Sequence, residues 1–106
     1  GIGEGFRAIY EAATAFGLYP RLYRWSIMYT PPRNRSRCAI VSWAYPTAAK
    51  LRVYAVPETF AEHYPVGEDT ARSIIGDGSR QLLGADDVPA FLAQIELLFQ
   101  VIHQNE

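Results

Sequence analysis

Few side chains in this 106-residue chain have the type and spacing that catalysis needs. His63 follows Glu58 and Glu62 in sequence. The two carboxylates share a helical face at i, i+4, but His63 points off that face, so the trio lacks metal-ligand spacing. Cys38 stands beside Arg37, which would favour a thiolate. No histidine is placed to serve it as a base, and a lone cysteine is more often a small buried residue. His103 falls at the end of the last helical stretch. Asp86-Asp87 reads as a helix cap rather than a carboxylate dyad, and Gly76-Asp77-Gly78 as a turn. The only lysine, Lys50, has Ala48 two residues before it and no acid near it in sequence, against a nuclease of the Asp…Glu-x-Lys type. Gly1, Gly3 and Gly5 precede a helix but follow no strand, so they form no phosphate-binding fingerprint, and there is no Walker-type loop. The expectation is a domain with no catalytic residue, no metal and no cofactor.

Binding chemistry is better represented. Between Glu11 and Glu58 there is no acidic residue, while seven basic ones occur: Arg21, Arg24, Arg33, Arg35, Arg37, Lys50 and Arg52. Eight aromatics share the window: Phe16, Tyr19, Tyr23, Trp25, Tyr29, Trp43, Tyr45 and Tyr54. The net charge of −1 conceals the asymmetry, since residues 1–60 sum to 8 − 3 = +5 and residues 61–106 to 2 − 8 = −6. Such a separation bears on partners and association. Nine of the ten basic residues are Arg, the side chain suited to forked phosphate contacts and to stacking on rings, though a GC-rich genome supplies the same bias.

The elements that must carry these residues follow from periodicity. Residues 6–16 read as a helix, with Phe6, Ile9, Tyr10, Ala13 and Phe16 on one face and Gly17 as its C-terminal cap. From Leu22 to Tyr29 the period is two, a strand. Residues 30–36 form a loop opened by Pro31-Pro32. Residues 37–45 and 51–56 read as strands joined by a short connection at 46–49. Short helices follow at 58–63 and 68–75, a short edge strand at 79–83, and a final helix from Asp86 or Asp87. In that helix Val88, Phe91, Leu92, Ile95, Leu98, Phe99 and Ile102 make one apolar stripe. The expected architecture is α+β: a three- to four-stranded antiparallel sheet with helices on one face, in the order α-β-β-β-α-α-(β)-α. Residues 1–5 read as a linker or excised boundary and 6–104 as a single domain. No apolar run approaches the ~20 residues of a membrane span. The unpaired cysteine suits a reducing compartment, so the expected location is cytoplasmic.

Pairing the strands across their loops puts Tyr29 opposite Arg37, Trp25 opposite Val41, Trp43 opposite Arg52 and Val41 opposite Tyr54. One sheet face then carries Tyr23, Trp25, Ile27, Tyr29, Val41, Trp43, Tyr45, Arg52 and Tyr54, and the other the smaller residues. Large aromatics normally form core, which would bury the first face against the helices. In the alternative the small-residue face packs on the helices and the aromatics offer bases a stacking surface. A slip of one residue in the first hairpin would transfer its whole first strand to the other face.

From Arg7 to Phe99 the layout resembles a small bacterial and archaeal family of unknown function labelled predicted transport protein, whose members occur alone or attached to nuclease-like modules. The similar stretches are Lys50-Leu51-Arg52-Val53-Tyr54 and Leu82-Leu83…Asp86-Asp87-Val88…Phe91-Leu92…Ile95…Phe99. The order of elements is also similar to the MmcQ/YjbR group, whose members were labelled DNA-binding for a compact α+β fold with wing-like strands. Neither resemblance implies a catalytic signature.

The leading expectation is a non-catalytic domain that contacts DNA, RNA or another polyanion through Arg33, Arg35, Arg37, Lys50 and Arg52, with Trp43 as a stacking partner. The alternative is an interaction or oligomerisation domain. In it the basic half meets the acidic half of another copy or of a parent-protein domain, through Glu62, Glu68, Asp69, Asp77, Asp86 and Asp87. A small-molecule pocket near Tyr54, His63 and Tyr64 is a third option.

Overall fold

The computed structural model describes residues 2–44 and 48–106. Helix α1 (Ile2–Ala15) leads into a five-stranded antiparallel meander, β1 (Tyr19–Leu22), β2 (Ser26–Thr30), β3 (Ile40–Trp43), β4 (Leu51–Ala55) and β5 (Gln81–Leu83), in spatial order 1-2-3-4-5. Between β4 and β5 lie α2 (Pro57–His63) and α3 (Glu68–Ile75); a 3-10 turn, Ala85–Asp87, then opens α4 (Val88–Gln104). The chain is α+β, with two features that pattern alone does not supply.

The first is β1. The alternation from Leu22 to Tyr29 is broken by a tight turn in which the Tyr23 amide donates to the Ser26 carbonyl at 2.9 Å. The strand before that turn contains Pro20, which a sheet tolerates at an edge, and β1 is the edge. The second is the register of β2 on β3. Tyr29 pairs with Ile40 and Ser26 with Trp43, three positions from the pairing of Tyr29 with Arg37. An odd shift exchanges faces. Ile27 and Tyr29 therefore point to the helices, together with Ile40, Ser42, Leu51, Val53 and Ala55. The pairing of β3 with β4, Trp43 opposite Arg52 and Val41 opposite Tyr54, is as expected. The connection at 46–49, with its pairing of Tyr45 and Lys50, falls partly outside the described residues.

Helix α1 begins at Ile2, so Gly3 and Gly5 lie in its opening turns rather than in a separate linker. Gly5 is buried, and a Cβ there would come within 3.0 Å of Val88 Cγ2, so its size sets how closely α1 approaches α4. At the other end Gly17 adopts φ 91°, and Leu18 donates back to the Ala13 carbonyl at 3.1 Å, a left-handed cap.

The helices cover one sheet face only. Their core is aromatic at its centre: Phe16 stacks on Phe99 at 4.6 Å between centroids, while Phe60 and Tyr64 meet the Phe99 ring edge-on at 5.8 and 5.6 Å. Among the described sheet aromatics, Tyr29 alone is fully buried. The expectation that the aromatic sheet face is core is thereby corrected: the small-residue face packs on the helices, and no helix among the described residues covers the face bearing the half-buried Trp43 and Tyr54.

Burial raises the Tyr29 phenol to about 12, outweighing the opposite pull of Ser42, and neither hydroxyl makes a hydrogen bond of good geometry. A buried hydroxyl without a partner costs ~1–3 kcal/mol. Ser42→Ala should therefore leave Tm unchanged or raise it. A fall of several degrees would mean that Ser42 and Tyr29 do bond to one another.

Candidate functional site

The uncovered sheet face gathers residues from all five strands and the turns beside them. Direct cross-strand neighbours share a face, so Arg21, Met28, Val41 and Tyr54 form one row and Ser26, Trp43, Arg52 and Leu82 the next. At the centre stands Trp43. The Arg52 guanidinium lies 4.8 Å from its ring centroid and that of Arg80 lies 5.2 Å away. Arg24 sits over Trp25 at 5.1 Å and Arg35 over Tyr19 at 4.2 Å. Guanidinium groups favour such positions because the ring face is negative, and contacts this exposed hold them lightly, at ~0.5–1 kcal/mol.

Two shallow depressions flank Trp43. One, of about 370 Å³, is walled by Tyr23, Trp25, Trp43 and Tyr54 with Arg24 and Arg80 at its margin. The other, of about 330 Å³, lies between Trp43, Lys50, Arg52 and Leu82. Among the described residues no carboxylate lines either. Of the residues expected to bind a polyanion, Trp43, Lys50 and Arg52 are thus brought together. Arg80 and Arg24 join them without having been named as site residues. Arg80 lies in the acidic half of the sequence, and only the pairing of β5 with β4 carries it to Trp43.

The three loop arginines are not brought together. Arg37 makes a forked ion pair with Glu62, Nη2 to Oε1 at 2.8 Å and Nε to Oε2 at 3.1 Å. Arg35 stacks on Tyr19, and its carbonyl accepts from Arg21 Nη1 at 3.1 Å. Arg33 borders a separate cavity with His63, Tyr64 and Glu106. The loop is fastened to α2 in two further places. Asn34 Nδ2 meets His63 Nε2 at 3.3 Å, and Thr59 Oγ1 donates to the Cys38 carbonyl at 2.6 Å. Because His63 Nδ1 faces the Thr59 carbonyl at 3.0 Å, that nitrogen carries the proton and Nε2 accepts from Asn34. Arg37 and His63 therefore have structural work in holding the loop. The ion pair of Arg37 with Glu62 satisfies within one chain part of the complementarity between its halves, while Arg72 pairs with Glu58 and with Glu68 of its own half.

His63 and Tyr64 line one cavity and Tyr54 another, so these three share no pocket among the described residues. Nor does any group of three His, Cys, Asp or Glu side chains among those residues converge as metal ligands do. Burial pushes the Cys38 thiol up to about 11, outweighing the pull of Arg37, which leaves it protonated and unreactive at neutral pH. Both Cys38 and Tyr29 hold protons more tightly folded than unfolded. Their stabilisation is complete below pH 9 and is lost as pH rises through about 11 and 12. Tm should accordingly fall from pH 9 upward, and Cys38→Ser should remove part of that fall. A flat Tm across this range would contradict the burial of both groups.

Among the described residues no helix is long and apolar enough to cross a membrane. Comparison with protein-family models, curated proteins and solved structures returns no match for this chain.

Proposed function

We propose that the uncovered sheet face is a non-catalytic binding surface for a polyanion, nucleic acid above all. The observation that carries this reading is Trp43 with two guanidiniums over its ring, on an open sheet face whose described lining contains no carboxylate. Aromatic rings beside exposed cations suit a ligand that offers both π-faces and regularly spaced negative charge. The basis differs from that expected of the loop arginines, because Arg37 is engaged by Glu62 and neither Arg33 nor Arg35 borders the depressions beside Trp43. The working cations are instead Arg24, Lys50, Arg52 and Arg80.

The test is a fluorescence-anisotropy titration of labelled single- and double-stranded oligonucleotides at two salt concentrations. Four phosphate contacts on a single strand give a log–log salt slope of about −3, roughly 50-fold between 50 and 200 mM salt. Absence of salt-sensitive binding to every DNA and RNA tried would overturn the proposal.

A further inference from the structure

We infer that this surface takes an unpaired strand, with two successive bases seated one on each side of Trp43. The inference rests on the binding role proposed above and specifies its ligand. Trp43 lines both depressions, and each depression has its own guanidinium over the indole: Arg80 in the larger and Arg52 in the smaller. The volumes, about 370 and 330 Å³, fall at the small end of ligand sites, which span about 300–1,000 Å³. A base entering either depression would replace the guanidinium on the indole, because base stacking outweighs an exposed cation–π contact. The displaced arginine is then free to meet the phosphate of the same nucleotide.

A duplex cannot use this arrangement, since its bases already stack on one another. Nor is a helix presented for a major groove, because the helices lie on the opposite sheet face. The neutral polar groups of the larger depression are the hydroxyls of Ser26, Tyr23 and Tyr54 and the indole N–H groups of Trp25 and Trp43, with no amide able to grip a base edge in two places. Recognition should therefore depend little on sequence.

The experiment is competition against a labelled single-stranded octamer by mononucleotides, dinucleotides, unlabelled octamers of different sequence, and a blunt duplex of equal length. A dinucleotide should compete about tenfold or more better than a mononucleotide, given stacking of a second base, and single strand should be preferred over duplex by a similar factor. Trp43→Leu should abolish both preferences, while Trp43→Phe keeps most of them; residual salt-sensitive binding by the Leu variant would show that it is folded. Equal affinity for single strand and duplex, or for mono- and dinucleotide, overturns the inference and leaves the general binding role intact. No binding to any of these ligands overturns both.

Discussion

A protein carrying Arg52→Glu together with Arg80→Glu is expected to bind single-stranded nucleic acid at least ~100-fold more weakly at low salt, with a visibly shallower salt slope. The change removes two cations that flank Trp43 within 4.8 and 5.2 Å and puts like charge beside the phosphates; each lost phosphate contact reduces the slope by about 0.7 on a single strand. Both residues are exposed, so the fold should survive, which circular dichroism verifies. The matching control is Arg7→Glu with Arg33→Glu, which alters net charge equally on α1 and on the loop. It should weaken binding only severalfold, through the long-range field alone. Equal losses in the two proteins would mean that total charge, not the sheet face, governs association.

Phe60→Ala should lower stability by about 3–5 kcal/mol, the range for truncating a fully buried phenylalanine. Its ring has 0% exposure and sits at 5.8 Å from both Phe99 and Tyr64, so its removal opens a cavity where α2 meets α4. Against a typical domain stability of about 5–15 kcal/mol this is a large share, and Tm should drop by roughly 12–30 °C. Urea unfolding followed by circular dichroism gives the value directly. A loss below ~1 kcal/mol would show that the helical layer is not organised around this ring.

The parts of the fold that pattern revealed are those where one face of a regular element had to be apolar. The stripe of α4 is buried at Val88, Phe91, Ile95, Leu98, Phe99 and Ile102, as its spacing requires. The short loop after β3 fixed the pairing of Trp43 with Arg52. What pattern could not reveal has physical reasons. The turn between β1 and β2 is built from Tyr23, Arg24 and Trp25, with no Gly, Asn or Pro to mark it, so two strands looked like one. The long connection between β2 and β3 left the register open, and three positions of difference carried Ile27 and Tyr29 to the core. The candidate site was half legible: Trp43, Lys50 and Arg52 cluster by strand pairing, but Arg80 arrives only through β5. The loop arginines looked free because Glu62, which engages Arg37, is 25 residues further along the chain.

The most direct measurement uses the Trp25→Phe protein, in which Trp43 is the remaining tryptophan, titrated with a single-stranded octanucleotide while indole emission is recorded. Binding at the sheet face predicts saturable quenching of Trp43 that added salt reverses in parallel with anisotropy. Binding by anisotropy with unchanged Trp43 emission, or no binding at all, would contradict it.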